Sequence, residues 1–179
     1  MKYNMSRMNR FIVLFILVLG FYNAVFAQEF VPPELEFICE LKVSIDPALE
    51  LGETARGKRV IIPINGGTFE GPKMKGVVLR GGADYQYVNS ELGRTELEAI
   101  YSIKTDDDVL IHVRNIGIIY NPKEDKISSD ANSRASYFRA APKFEAPVDS
   151  KYAWLNNAIF ICKPEGKNGY ISIQVWKVH

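Results

Sequence analysis

Three charged residues are the candidates for chemistry in this sequence, namely Asp84, Glu98 and Arg139. Each lies in a segment of alternating polar and apolar residues, and a charge that projects into a protein interior must be paired or used. A carboxylate can act as a general acid or base, and a guanidinium can hold an anion through two hydrogen bonds. The same residues could instead form a structural ion pair, so both interpretations of this charged set stay open.

Aromatic residues complete the candidate site. Tyr101 follows Glu98 on the same segment, Tyr137 shares one face of its segment with Arg139, and Trp154 lies in the turn segment Tyr-Ala-Trp-Leu-Asn. A large ring in such a turn either plugs one end of a barrel or forms the wall of a ligand site. Aromatic walls with a few charges are typical of pockets for small apolar or aromatic molecules.

Motifs that hold metals, phosphates or covalent nucleophiles do not occur in the sequence. It contains no glycine-rich phosphate loop before a helix, no G-x-S-x-G and no H-E-x-x-H. Two histidines and two cysteines are too few for a Cys/His zinc cluster. The run Asp106-Asp107-Asp108 lacks the spaced oxygen ligands of a calcium loop and indicates a polar hairpin turn. We therefore expect neither a metal nor a cofactor.

The composition is that of one folded domain. Of 179 residues, 47% are hydrophobic and 24% are charged, so the chain can bury a sizeable core and is not disordered. The 22 basic and 21 acidic residues give a net charge of +1, which leaves no electrostatic footprint for nucleic acid. A small molecule is the partner that the sequence favours, and the oligomeric state stays open.

The first 27 residues have the pattern of a secretory signal peptide. Three basic residues precede the apolar run Phe11–Leu19, and Val25-Phe26-Ala27 matches a signal-peptidase site. The run is shorter than the ~20 apolar residues of a transmembrane anchor. We predict a signal-peptide helix within residues 1–27 and cleavage after Ala27. The remaining residues 28–179 are then one exported domain, periplasmic or secreted, with no membrane partner after cleavage.

Alternation of polar and apolar residues predicts strands along the rest of the chain. The clearest is Leu35–Ile45, and Asn65-Gly66 after the strand Lys58–Ile64 is a strong hairpin signal. The segment Pro47–Gly57 between them is predicted to be a connection. Further strands are predicted at Lys73–Arg80, Ala83–Val88, Glu96–Thr105, Val109–Asn121, Ser136–Phe144, Ala158–Lys163 and Tyr170–Val178.

This succession of strands and short turns is typical of a β-sandwich or a closed barrel. Closure also removes the unpaired edge strands of an open sheet. We therefore predict an all-β fold, a single closed antiparallel β-barrel that is lipocalin-like in architecture. Its longest polar loop is predicted at Pro122–Arg134.

The two cysteines are predicted to be thiols. Cys39 lies in the first predicted strand and Cys162 in the penultimate one. If the last strand pairs with both of these strands, about 9–10 Å separates the cysteines. A disulfide needs Cα atoms within roughly 7 Å. We therefore expect two buried thiols rather than a disulfide.

Three blocks of the sequence carry a resemblance to a known family. Gly66–Gly76 reads GGTFEGPKMKG, Tyr137–Glu145 reads YFRAAPKFE, and Tyr152–Asn156 reads YAWLN. In this order they resemble the signature of the domain-of-unknown-function 3237 family, also called uncharacterised protein family 0311. The sequence departs from the family pattern at Asp107-Asp108, where an Asp-Gly turn is usual, and in a polar insertion around Lys123–Asn132. The resemblance implies an antiparallel β-barrel and no established reaction.

Two classes of function fit these observations. The first is a barrel that binds a small apolar or aromatic molecule in its interior. The second is a cofactor-free enzyme of lyase, isomerase or hydratase type, in which Asp84 or Glu98 acts as general acid or base and Arg139 stabilises a developing anion. Because the sequence shows no paired acid and base at a recognisable spacing, we rank the binding protein first.

Overall fold

The computed structural model describes residues 30–121 and 136–179, which form ten β-strands and a short 3₁₀ helix, Ala153–Asn157. The strands are β1 (Leu35–Ile45), β2 (Leu49–Thr54), β3 (Gly57–Glu70), β4 (Lys75–Val78), β5 (Ala83–Asn89), β6 (Arg94–Thr105), β7 (Leu110–Tyr120), β8 (Tyr137–Glu145), β9 (Phe160–Lys167) and β10 (Tyr170–Val178). The predicted signal peptide and the predicted polar loop and insertion lie outside the described residues. Within the two described ranges, no helix has the length and hydropathy needed to cross a membrane.

The ten strands occupy eight positions around a closed antiparallel barrel. β1 and β2 pair with the same edge of β3, and β4 and β5 both lie between β3 and β6. From β6 onward each strand pairs with the next one along the chain, and β10 pairs with β1 to close the ring. Closure satisfies the backbone groups that an open sheet would leave unpaired at its edges. The predicted all-β closed barrel is confirmed.

The two halves of the barrel interior differ. Apolar side chains from alternate strand positions fill one half, among them Ile38, Phe144 and Phe160. The 3₁₀ helix covers this end, where Leu155 is 1% exposed and packs with the core. The other half of the interior contains a cavity. The fold therefore has one closed end and one end with space for a ligand.

Polar contacts hold the 3₁₀ helix at the closed end. As predicted, Asp106-Asp107-Asp108 begins the turn between β6 and β7, and Asp107 accepts a hydrogen bond of 2.8 Å from the Tyr152 hydroxyl. The Lys151 ammonium lies 3.0 Å from the same carboxylate. These two groups, Lys151 foremost, lower the pKa of Asp107 to about 2. The acidic turn therefore has a structural role in anchoring the segment that covers the barrel.

The predicted hairpin at Asn65-Gly66 is wrong, because β3 continues through these residues to Glu70. The pairing register with β1 shifts here, which marks a bulge rather than a turn. Gly67 has a φ of +143°, and a Cβ at this position would lie 2.1 Å from the carbonyl oxygen of Lys42. The two glycines therefore allow a long strand to bend around the barrel.

The segment predicted as a connection, Pro47–Gly57, contains the six-residue strand β2. Five of the six residues of β2 are exposed, so the strand has no alternation of buried and exposed positions that a sequence pattern could show. Its order comes from antiparallel pairing with β3, in which Leu49 lies opposite Ile61. The sequence does not predict this strand, because β2 is ordered by pairing with β3 and not by a pattern in its own residues.

The strand order around the cysteines agrees with the prediction. Cys39 on β1 lies opposite Val175 on β10, and Val175 lies opposite Cys162 on β9. Both cysteines are free and buried. Burial raises the pKa of Cys39 to about 12 and that of Cys162 to about 11. Both groups are therefore protonated thiols at neutral pH.

Candidate functional site

The cavity in the unfilled half of the barrel has a volume of about 310 Å³. Inward-facing residues from all eight positions of the ring line it, and most of them are aliphatic. The polar side chains in the wall are Asp84, Gln86, Tyr101 and Asn115. An apolar cavity with a few polar groups on one part of its wall is the usual form of a small-molecule site.

Asp84 is the carboxyl residue among those that line this cavity, and its two carboxyl oxygens have different surroundings. Oδ2 accepts a hydrogen bond of 2.6 Å from Nε2 of Gln86. Oδ1 is buried and has no hydrogen-bond partner within residues 30–121 and 136–179. Burial raises the pKa of Asp84 above its ordinary value, and the bonds from Gln86 and the backbone of Glu98 offset only part of this effect. The site thus favours the neutral acid more than water does.

Gly82 brings the strand that carries Asp84 close to Tyr101. A Cβ at Gly82 would lie 2.5 Å from Cβ of Tyr101 and 2.6 Å from the carbonyl oxygen of Ile100, so a larger residue does not fit. Tyr101 is 3% exposed, and burial raises the pKa of its phenol, with a smaller contribution from the nearby Asp84. The phenol is therefore neutral and belongs to the same polar part of the wall.

Asn115 connects this polar part to the packed interior. Its side chain is buried and lies 3.5 Å from Sγ of Cys162, with the amide nitrogen oriented to donate. The thiol in turn lies 3.6 Å from the amide oxygen. Within the described chain, no group of three or more His, Cys, Asp or Glu side chains could hold a metal ion. The cavity can therefore offer a ligand apolar contact and neutral hydrogen-bonding groups.

Residues 33–178 match the family described as protein of unknown function, DUF3237. The chain belongs to this family. A UPF0311 protein from Rhodopseudomonas palustris is 35% identical over 133 residues, which make up 72% of this chain and 85% of that protein. The family resemblance carried by the three sequence blocks is thereby confirmed.

Two crystal structures are similar to this DUF3237 barrel. A beta-barrel like protein from Acinetobacter baumannii AYE has a TM-score of 0.73 and 31% identity, and the match covers 85% of this chain and 99% of that chain. An enzyme from Penicillium herquei has a TM-score of 0.65 and 23% identity, covering 86% of this chain and 99% of that chain. The second likeness shows a shared fold alone.

Glu98 lies on the outer face of the DUF3237 barrel, so the expectation that it could line the pocket is wrong. Its carboxylate forms an ion pair of 2.5 Å with Nε of Arg114 on the neighbouring strand β7. It belongs to a separate outer groove of about 370 Å³. In that groove the ring centre of Tyr87 lies 4.3 Å from the guanidinium carbon of Arg56 and 4.2 Å from that of Arg59.

Arg139 and Tyr137 also lie outside the barrel. The Arg139 guanidinium donates a hydrogen bond of 2.7 Å to the carbonyl oxygen of Phe138 and lies 5.5 Å from the ring centre of Tyr137. The predicted alternation on β8 is right, but Phe138 and Ala140 occupy the inward positions. Arg139 therefore cannot stabilise an anion in the cavity, and the structural ion pair with Asp84 that the sequence left open does not form.

Trp154 belongs to the closed end and does not line the cavity. Its ring packs against Phe160 at 6.0 Å between ring centres and against the rest of the core. The ammonium of Lys73 lies 5.4 Å from the Trp154 ring centre. The structure therefore supports the role of Trp154 as a plug at one end of the barrel and not as a wall of a ligand site.

Two polar residues of the cavity were missing from the predicted site. Gln86 shares the face of Asp84, and this alternation could have identified it. Asn115 occupies an inward position of β7 between Val113 and Ile119, where every second residue is otherwise apolar or glycine. A polar residue at an inward position of an apolar strand was the available signal.

Proposed function

We propose that this barrel binds a small, predominantly apolar molecule in its interior cavity. The observation that carries the proposal is the contrast between the two halves of one barrel. One half is filled by packed side chains and covered by the 3₁₀ helix, whereas the other encloses about 310 Å³ lined mainly by aliphatic residues. Protein interiors are normally close-packed, so an unfilled half in an otherwise well-packed core favours a binding role.

The size of the cavity limits the ligand. Its volume of about 310 Å³ is roughly twice the ~150 Å³ of an apolar cavity that binds benzene. A molecule with a single ring or two fused rings therefore has an appropriate size for this cavity. Its affinity would come mainly from apolar surface removed from water, at about 25 cal/mol per Å² before the costs of association.

The test compares a cavity variant with a matched control. Ala99 lines the cavity on β6, and Ala141 is an exposed alanine on the outer face of β8. Ala99→Phe places a phenyl ring in the ligand space, and Ala141→Phe adds the same ring outside. The neutral fluorescent probe N-phenyl-1-naphthylamine should bind the wild type and Ala141→Phe with similar affinity. Its affinity for Ala99→Phe should fall at least about tenfold, which is ~1.4 kcal/mol.

Native mass spectrometry of the purified protein gives an independent measurement. A co-purified small molecule should be present in the wild type and in Ala141→Phe and depleted in Ala99→Phe. Equal probe affinity in all three proteins, with all three folded, would contradict the proposal.

The second candidate is a cofactor-free enzyme of lyase, isomerase or hydratase type. The observation in its favour is the Asp84 carboxyl in the cavity wall, because burial brings its pKa closer to the range in which a group can both donate and accept a proton. Glu98 and Arg139 have no part in this version, since both lie outside. Incubation of a co-purified ligand with fresh protein and with Asp84→Asn separates the candidates. An enzyme changes the ligand mass or structure, whereas a binding protein returns the ligand intact.

A further inference from the structure

The cavity wall of this barrel contains one carboxyl group whose surroundings bear on the chemistry of the ligand. Oδ2 of Asp84 accepts from Gln86 at 2.6 Å, and the backbone of Glu98 also favours the charged form. The buried Oδ1 is unpartnered within the described parts of the chain. An ionised carboxylate prefers two or more donors on its oxygens, whereas a neutral acid needs fewer donors and itself donates one hydrogen bond to an acceptor. The hydrogen bonding around Asp84 is therefore incomplete for the charged form.

The groups that face Asp84 add no positive charge. Its partners across the sheet are Ile62 on β3 and Ala99 on β6, and Tyr101 is the titratable residue of β6 that lines the same cavity. Among the described lining residues there is no lysine, arginine or histidine. The thiols of Cys39 and Cys162 also face inward, and burial keeps both neutral. On β6, Glu98 lies on the outer face. On β3, Lys58 has the same alternation phase as Ile62, but it does not line the cavity and pairs with Glu50 at 2.7 Å.

We propose that the ligand of this cavity is uncharged and carries an oxygen, of the carbonyl, ether or phenol type, that accepts a hydrogen bond from the carboxyl group of Asp84. This inference rests on the proposed binding function and specifies its ligand class. An anionic ligand would meet no countercharge in the described wall. An acceptor oxygen completes the hydrogen bonding of the neutral acid, while the rest of the molecule fills the aliphatic space.

Proton linkage predicts the direction in which ligand affinity changes with pH. A ligand that accepts from the protonated carboxyl binds only that form, so its affinity is constant below the pKa of Asp84 and falls about tenfold per pH unit above it. A cationic amine would pair with the ionised carboxylate, and its affinity would rise with pH over the same range. The direction of the pH dependence therefore distinguishes the two ligand classes.

The experiment uses three probes with one carbon skeleton, namely 1-acetylnaphthalene, 1-ethylnaphthalene and 1-(1-naphthyl)ethylamine. Each is titrated into the mature barrel by calorimetry or ligand-observed NMR between pH 4 and pH 9. At the acidic end the acetyl compound should bind at least about fivefold more tightly than the ethyl compound. At the same acidic end the amine should bind more weakly than either. The preference for the acetyl compound should disappear as pH rises, while the affinity of the ethyl compound stays constant.

Variants of the two carboxyl groups provide the controls. Asp84→Asn keeps a hydrogen-bond donor beside Gln86 and should retain the preference for the acetyl compound at every pH. Asp84→Ala should lose the preference and still bind the ethyl compound. Glu98→Gln neutralises an acid on the outer face and should leave the wild-type pH profile unchanged.

The outcomes separate this inference from the function on which it rests. Equal affinity for the acetyl and ethyl compounds in the wild type at all pH values, or tightest binding of the amine with affinity rising with pH, would overturn the inference while the cavity remains a binding site. Failure of the ethyl compound to bind the folded wild type, together with the absence of a co-purified molecule, would overturn the proposed function and the inference with it.

Discussion

Asp84→Asn should stabilise this protein at neutral pH, and the stabilisation should disappear in acid. Burial raises the pKa of Asp84 in the folded chain above its ordinary value of 3.8. Between these two values the unfolded chain has lost the Asp84 proton and the folded chain still holds it. The free energy of unfolding of the wild type therefore falls as pH rises from about 3.8 through the raised pKa, and it is constant above that pKa with respect to this group. An asparagine side chain does not titrate, so the stability of Asp84→Asn does not have this pH dependence.

The magnitude follows from the surroundings of the carboxyl group. Each pKa unit of difference between the folded and unfolded states corresponds to about 1.4 kcal/mol once the pH exceeds both values. A hydrogen bond to a charged group contributes about 1.5–3 kcal/mol, and Oδ1 lacks such a bond within the described residues, a loss that applies to the ionised carboxylate and not to asparagine. We expect Asp84→Asn to raise the free energy of unfolding by about 1–3 kcal/mol at pH 7. For a domain of this size, each kcal/mol moves Tm by roughly 2–4 °C.

The measurement is urea and thermal unfolding of wild type and Asp84→Asn at pH 3, 5, 7 and 8. The difference should be near zero at pH 3 and reach its full value at neutral pH. Glu98→Gln serves as the control, because it removes an exposed carboxylate that pairs with Arg114. Loss of such a surface pair costs about 0–1 kcal/mol, with the opposite sign. An Asp84→Asn protein that is less stable than wild type by the same amount at every pH would refute the reasoning.

Four further outcomes are expected. Two thiols should react with Ellman's reagent in denaturant without reductant, and none in the folded barrel at pH 8, because burial raises the pKa of Cys39 to about 12 and that of Cys162 to about 11. Leu155→Ala should lower the free energy of unfolding by about 2–5 kcal/mol in a thermal melt, since this residue is 1% exposed against the closed end. Arg139→Met should leave probe affinity unchanged and stability within about 0.5 kcal/mol of wild type, since the guanidinium is exposed; a larger loss of affinity would place it in the site after all. N-terminal sequencing of exported protein should begin at Gln28, and retention of the preceding residues would contradict the predicted cleavage.

Much of the barrel could be predicted because strands have a local signature. The predicted bounds of β1 and β10 match the observed ones, and in β1 the buried residues Cys39, Leu41 and Val43 alternate with more exposed ones. The prediction failed where the signal was not local. β2 is almost wholly exposed and exists through pairing with β3, and Asn65-Gly66 has the residue types of a hairpin turn but lies in a bulge of a continuous strand. A two-residue motif carries no information on whether the strand continues beyond it.

The sequence by itself determined the closed all-β architecture, the family and which residues share a face. Alternation along each strand puts Asp84 on one face with Gln86 and Arg139 on one face with Tyr137, and both groupings are correct. Only the tertiary structure decided that the first pair faces the cavity and the second faces outward. The physical reason is that alternation has two equivalent phases along any strand. The choice between them depends on the direction in which the whole sheet curls, and that direction is set when β10 pairs with β1 to close the ring.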